Sequence, residues 1–331
     1  MITRRSAMGG FAAACAALTV SPLVAAPKRV RPPRLQAGDK VALVAPASAV
    51  SAAEIERARH WVSSMGLVPQ FGANAEAKFG YLAGTDAQRA ADLNAAFADQ
   101  TIRGIFAIRG GYGAARILPS LDWPTIRANP KLFIGYSDNT ALHLAIAREA
   151  GFATLHAPNA ASPWSEAASW ESLWRLAFTG EMPVLELGAD RMLKSGKGEG
   201  RLLGGNLTIF STLMGTGRLP AMEGAVLFLE DVNEEPYRID RMLQQLKLAG
   251  VLDGAAGVIF GRCRACSVAD PEGESFTLDD VLDQHLGTLE CPVVTGANIG
   301  HIRGQLCLPH GARVAFDADG GTLTPLEPVT A

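Results

Sequence analysis

Along residues 40–150, short apolar runs alternate with capped segments of helical period, and each gap between runs is long enough to hold a helix. That alternation leaves few folds open. Strands joined through helices run parallel, and a parallel sheet must be covered on both faces. The runs are Lys40–Ala45, Ile102–Ile108 and Leu132–Gly135. Ser51 with Glu54 forms a capping box that starts a helix toward Ser64. Thr85 with Gln88 starts a second, with Leu93, Ala96 and Phe97 on one face, and Asn139–Ala150 has a helical pattern after the third run. At 48% apolar and 19% charged residues, the chain can fill such a two-faced core. The pattern predicts a parallel α/β domain over residues 36–165.

At 331 residues there is room for a second domain. A stretch bearing Trp164, Trp170 and Trp174 leads into an interdomain segment over 166–198, and the turn-rich Ser195–Gly200 marks entry to a second domain over 199–331. There, Ala225–Leu229, Gly257–Gly261, Pro292–Thr295, Arg313–Phe316 and Thr322–Leu326 are predicted strands. Tyr237–Ala249 is a predicted helix stopped by Gly250, and Thr277 caps a short one.

The formal charge of −3 argues against nucleic acid, which needs a basic face. No apolar run after residue 30 reaches the roughly 20 residues of a membrane helix. Residues 1–26 have the pattern of an export signal of twin-arginine type: Arg4-Arg5, no further charge before Lys28, Pro22, and Val24-Ala25-Ala26. An N-terminal membrane anchor is the rival reading, disfavoured by Pro22 and the small residues. Export implies a periplasmic location, with the cytoplasm as the alternative. Removing residues 1–26 takes away Arg4 and Arg5 and no acid, so the mature charge is −3 − 2 = −5. Residues 27–35, rich in Pro and Arg, read as a solvated linker.

The strongest local chemical signal is Gly135-Tyr136-Ser137-Asp138, between an apolar strand and a helical pattern. A serine on a sharp strand-to-helix turn stands clear of the sheet beside free helix N–H groups. An ordinary serine N-cap leaves the same pattern, and Asn139 stands where a nucleophile elbow usually has glycine. A nucleophilic serine needs a base, and the base an orienting acid. His301, after Gly300 in a loop past a strand, is the best-placed of six histidines. His60, His143 and His285 lie in helical patterns, and His156 follows a strand and is a candidate to line a pocket. Glu230 and Asp231 end the strand AVLFL; carboxylates there also serve as helix caps. Arg109-Gly110-Gly111-Tyr112-Gly113 is equally a tight turn, a phosphate cradle lacking its third glycine, or an oxyanion hole. With five cysteines, only Cys263 and Cys266 are closely spaced; that is no zinc set, and isolated, partly buried thiols are the simplest reading, with a redox-active pair or a disulfide after export as the alternatives.

Taken in order, several segments resemble the LD-carboxypeptidase family of serine peptidases, over about residues 36–326. They are Val44–Ser48, Leu82–Asp86, Ala107–Gly113, Ile134–Asp138, Gly204–Leu207, Leu229–Asp231, Pro236–Met242 and Gly300-His301. The resemblance implies an α/β fold with a flavodoxin-like N-terminal domain, akin to class I glutamine amidotransferases, and a C-terminal swivelling β-domain. It implies a triad of Ser137 as nucleophile, Glu230 as acid and His301 as base, drawn from both domains across a cleft. The backbone N–H groups of Gly111 and Asp138 would be the oxyanion donors. No metal or cofactor is implied, and a homodimer is. The expected activity is removal of the terminal D-Ala from a murein stem tetrapeptide. Arg109, Tyr112, Arg238 and Arg241, with Arg303, are the candidates to bind substrate, since a bidentate arginine suits a free carboxylate. The same triad could act on another acyl substrate, such as a peptidyl-nucleotide, with the tryptophans as an aromatic slot. An exported small-peptide binding protein is the alternative of another class. The export signal and the CxxC pair depart from the family pattern.

Overall fold

The computed structural model describes residues 30–268 and 275–331; the export-signal segment 1–26 lies outside them. Two sheets form the framework. The first is built in chain order from β1 (Lys40–Val44), α1 (Ala52–Ser64), β2 (Val68–Phe71), α2 (Asp86–Ala98), β3 (Ile102–Ala107), α3 (Ala114–Ile117), α4 (Trp123–Ala128), β4 (Leu132–Gly135), α5 (Thr140–Glu149) and β5 (Thr154–His156). Its parallel strands lie in the order β2-β1-β3-β4-β5. The order reverses between β1 and β3, and such switch points open a crevice at the carboxyl ends of the strands. Both predicted capping boxes form, at Ser51/Glu54 and Thr85/Gln88.

The rest of the chain adds α6 (Ala167–Leu173), β6 (Leu185–Glu186), β7 (Arg191–Lys194), β8 (Lys197–Asn206), α7 (Leu207–Thr212), β9 (Val226–Glu230), α8 (Pro236–Leu248), β10 (Gly257–Gly261), α9 (Leu278–Leu286), β11 (Val293–Ala297), β12 (Leu308–His310), β13 (Arg313–Asp317) and β14 (Thr322–Pro325). The second sheet runs β6-β14-β13-β8-β9-β10-β11-β7, with β8 to β11 parallel and the flanking pairs antiparallel. The second domain is therefore mixed α/β rather than the expected β-domain, because α8 and α9 carry parallel crossovers. Among the described residues no helix is long and apolar enough to cross a membrane.

Three sequence expectations change. First, Ser195–Gly200, read as a turn-rich entry, runs into β8 (Lys197–Asn206), the longest strand among the described residues. Its glycines serve close backbone approach: a Cβ at Gly204, where φ is 145°, would sit 1.8 Å from the Phe228 carbonyl oxygen. Gly204→Ala is expected to cost about 3 kcal/mol or more, the upper end of what overpacking costs, because the atom it meets is rigid backbone. A denaturant midpoint equal to wild type would refute this. Second, β12 leaves the second domain and pairs antiparallel with β5 in the first sheet, so a boundary at 199 does not separate the two sheets. One apolar cluster also runs through both, joining Phe97, Phe133 and Leu144 to Leu203, Leu229 and Phe260. Third, the linker is docked from its first described residues. Leu35 is buried and donates its N–H to Ala177 O at 2.9 Å, and Ala331 N–H donates to Pro32 O at 2.9 Å. A leucine among the basic residues was the available signal.

Candidate active site

Strand β4 is buried throughout and delivers the chain to Tyr136, which is extended. Ser137 follows at φ 65°, one of three non-glycine residues with positive φ among those described. An L-residue holds that conformation only where its surroundings impose it. Asn139 and Asn159 impose it here. Asn139 Nδ2 donates to Tyr136 O at 3.0 Å and to Asn159 Oδ1 at 3.0 Å, and the same Oδ1 accepts Tyr136 N–H at 3.2 Å. The residue that breaks the usual elbow pattern therefore supports the elbow through its side chain. Asn159 was missed by sequence reasoning, since a lone asparagine after a strand carries no signal.

Ser137, Glu230 and His301, far apart in the chain, converge. His301 Nε2 lies 3.0 Å from Ser137 Oγ, and His301 Nδ1 lies 2.8 Å from Glu230 Oε2. Glu230 is fully buried at the end of β9, and its Oε1 has no protein partner. Gly300 is needed beside them: at φ 110°, a Cβ would sit 2.8 Å from Glu230 Oε2 and 2.9 Å from Arg262 O. Asp231 faces away from this relay. It accepts Asn206 Nδ2, Thr208 N–H, Thr208 Oγ1 and Val232 N–H at 2.8–2.9 Å, and so fixes the strand end that carries Glu230.

The loop after β3 closes the other side. Ser48 Oγ accepts Tyr112 N–H at 2.9 Å, and Asp138 accepts Ala114 N–H at 2.7 Å. A Cβ at Gly110 would lie 2.9 Å from Ser137 Cβ and 3.3 Å from Asp138 N, so this loop packs directly on the elbow. The N–H of Gly111, at φ 113°, meets no protein acceptor among the described residues. Asp138 N–H belongs to a first helical turn, whose N–H groups lack partners within the helix. Burial pushes the Asp138 carboxyl up to about 6 against the pull of its backbone donors. Burial, reinforced by the charge of Glu230, pushes the Tyr136 phenol up to about 12, and its ring packs 4.8 Å from that of His301.

These groups line a cleft of about 480 Å3 between the two sheets. Of the proposed substrate-binding residues, Arg109 and Tyr112 line it; Arg238, Arg241 and Arg303 do not. Helix α8 buries Ile239, Leu243 and Leu246, which turns Arg238 and Arg241 to the other face, over the Tyr237 ring. No tryptophan lines the cleft: Trp164 is in the core, and elsewhere Trp174 stacks on Phe178 with Trp170 tilted against both. Cys263 and Cys266 are joined as a disulfide rather than isolated thiols, with Cα atoms 5.5 Å apart. Among the described residues, no group of three or more His, Cys, Asp or Glu side chains is placed to hold a metal ion.

His156 does not line the cleft. With His143 and His310 it forms a buried cluster beneath the elbow, 5.3–6.1 Å between ring centres. His143 is satisfied by Thr154 Oγ1 and Gly135 O, whereas both ring nitrogens of His156 are unpartnered. Burial lowers all three, His143 to about 4. Unfolded histidines take up protons below about pH 6.5 and these do not, so stability falls as pH drops from there toward 4. Asp138, raised to about 6, acts in the opposite direction as one group against three. The urea midpoint is therefore expected to be lower at pH 5 than at pH 7. His156→Phe should raise the pH 5 midpoint; an unaltered pH dependence would refute this account.

A two-sheet α/β frame holding a serine, a histidine and a carboxylate in hydrogen-bonded series has the layout of a serine hydrolase. Comparison with known proteins gives the class. Residues 41–157 match the LD-carboxypeptidase N-terminal domain and residues 199–316 the LD-carboxypeptidase C-terminal domain. The probable murein peptide carboxypeptidase of Bacillus subtilis is 36% identical over 87% of this chain and 91% of its own. The murein tetrapeptide carboxypeptidase of Pseudomonas aeruginosa is 33% identical over 85% of this chain and 94% of its own. The solved structure of MccF in complex with glutamyl sulfamoyl guanosine superposes with a TM-score of 0.82 at 24% identity, covering 91% of this chain and 99% of that one. The protein is a serine-type carboxypeptidase. The chain belongs to the LD-carboxypeptidase family.

Proposed function

We propose that this protein is an LD-carboxypeptidase that removes the terminal D-Ala from murein tetrapeptide stems, with Ser137, His301 and Glu230 as its triad. The observation that carries the reading is the unbroken series from Ser137 Oγ through His301 to Glu230 Oε2, at 3.0 and 2.8 Å, with Ser137 held at φ 65°. The names of the Bacillus and Pseudomonas relatives support the substrate class.

In this reading Glu230 accepts a hydrogen bond from the Nδ1–H of His301, which fixes the tautomer and leaves the lone pair on Nε2 facing Ser137. Nε2 takes the Ser137 proton as Oγ attacks the carbonyl carbon of the penultimate residue. The resulting oxyanion meets the N–H groups of Gly111 and Asp138. When the tetrahedral intermediate collapses, the C–N bond breaks and His301 passes its proton to the departing D-Ala amine. A water then gives its proton to His301 and attacks the acyl-enzyme, releasing the tripeptide and restoring Ser137. Arg109, lining the cleft, is the candidate for the free carboxylate of the terminal residue. The export signal over residues 1–26 would bring the enzyme to intact wall stems in the periplasm.

Mass spectrometry of a tetrapeptide stem incubated with the purified protein tests the reading. Loss of one alanine from the stem is expected. An intact stem in the presence of folded protein would overturn the murein assignment.

A further inference from the structure

The disulfide between Cys263 and Cys266 takes no part in the chemistry above, yet it sits against the two loops that carry the acid and the base. Strand β10 lies between β9 and β11, so the chain that leaves it runs between the chains that leave its neighbours. One neighbour leads to Glu230 and the other to His301. Contacts form on both sides. Arg262 N–H donates to Ala297 O at 3.1 Å and to Ile299 O at 3.0 Å, and a Cβ at Gly300 would meet Arg262 O at 2.9 Å. On the other side Val232 bridges to Arg264, and Asn233 N–H donates to Arg264 O at 2.9 Å. Val232 and Asn233 line the cleft directly after Glu230 and Asp231.

Side-chain packing does not hold the middle of this support. Arg264 and Ala265 are exposed, and Ala265 has φ 56°, a left-handed conformation that alanine keeps only where something imposes it. Asn233, which docks on the loop, has φ 58°. Apart from Ser137, these two are the only non-glycine residues with positive φ among those described. Cys266 is buried and Cys263 packs at the edge of the core, so the bond between them pins the loop at both ends.

We propose that the Cys263–Cys266 disulfide is a positioning element for the triad, and that its opening by a thiol reductant lowers activity. Closed, it fixes Arg262–Arg264 as a common support for the loops of Glu230 and His301. To open it, a thiolate of a dithiol attacks one sulfur and the S–S bond breaks. The second thiol of the reductant resolves the mixed disulfide. Two electrons and two protons pass to Cys263 and Cys266, and the reductant leaves as a cyclic disulfide. Ala265 is then free to leave its left-handed conformation, and Arg264 O no longer holds Asn233. With the export signal proposed above, the thiol form would belong to the compartment of synthesis and the disulfide form to the periplasm. This inference rests on the triad proposed above and not on the identity of its substrate.

The test compares the full-length protein before and after treatment with dithiothreitol, with the state of each cysteine read by alkylation and mass spectrometry. Cys291 and Cys307 are free thiols and serve as internal controls. A fluorophosphonate, which needs the triad but no peptide, reports the reactivity of Ser137. Its rate is expected to fall by about 10- to 100-fold on reduction, the effect of misplacing reacting groups by about 1 Å, and to recover with oxidised glutathione. Cys263→Ser should react at the reduced rate with or without reductant. A loop this short restrains the unfolded chain little, so the melting temperature should move by only a few degrees. Hydrogen exchange reads the support itself: the Asn233 amide should lose protection on reduction. A rate unchanged by reduction overturns the proposal, as does a loss of reactivity that merely follows a loss of folded protein. Free thiols at Cys263 and Cys266 in the oxidised protein would overturn it too. If neither form reacts, the triad reading has failed. Loss of protection at Asn233 would then still establish the disulfide as the lock on that wall of the cleft, and unchanged protection would overturn it.

Discussion

Ser137→Ala is expected to lower kcat on a D-Ala-terminated tetrapeptide by about 10^4- to 10^6-fold, the range seen when a triad nucleophile is removed. Substrate affinity should stay within about threefold, because the missing hydroxyl makes no bond that differs between free and bound enzyme. The fold should be untouched. Alanine meets the same positive φ as serine, and the clamp formed by Asn139 and Asn159 does not involve Oγ. Stopped-flow or end-point measurement of alanine release, paired with calorimetry, reads both quantities. Residual activity above about one per cent of wild type would mean that another group performs the attack.

The second large effect concerns the acid. Glu230→Gln should lower kcat by about 10^4-fold, as in other triads where the acid becomes an amide. Glutamine presents either its NH2 or its carbonyl to Nδ1, and neither would stabilise, as a carboxylate does, the imidazolium that the proposed mechanism forms when Ser137 gives up its proton. Stability offers a control. Glu230 is fully buried and its Oε1 has no protein partner, so neutralising it removes a desolvated charge. The variant should melt no lower than wild type while losing almost all turnover. A melting temperature that falls in step with activity would instead mark Glu230 as structural, and would refute its role in the relay.

Much of the site was legible because its chemistry depends on local patterns. The elbow requires an apolar strand, a sharp turn and a helix in immediate succession, and residues 132–150 contain all three. His301 and Glu230 follow strands, where loops gather functional groups. Both predicted boxes in the first domain form because Ser51 with Glu54 and Thr85 with Gln88 act over three residues. What escaped depends on distant partners. Residues 197–206 contain four of the glycines that discourage a strand, yet the backbones of Ala256, Gly224 and Phe228 approach so closely that only glycine fits. Asn159 has no periodicity to betray it; it matters through what lies across a turn. Arg238 and Arg241 looked suitable by charge, and only the packing of Ile239 and Leu243 shows which way they turn.

The return of β12 to the edge of the first sheet bears on how such a protein can be cut and recombined. A gene split near residue 198 would give an N-terminal fragment whose β5 loses its neighbour and shows a bare, aggregation-prone edge. The C-terminal fragment would carry an orphan strand and half of a shared core. The halves are therefore expected to fold only by complementation, when both are made in the same cell. Exchange of domains between relatives should succeed only when residues 308–310 travel with the first half.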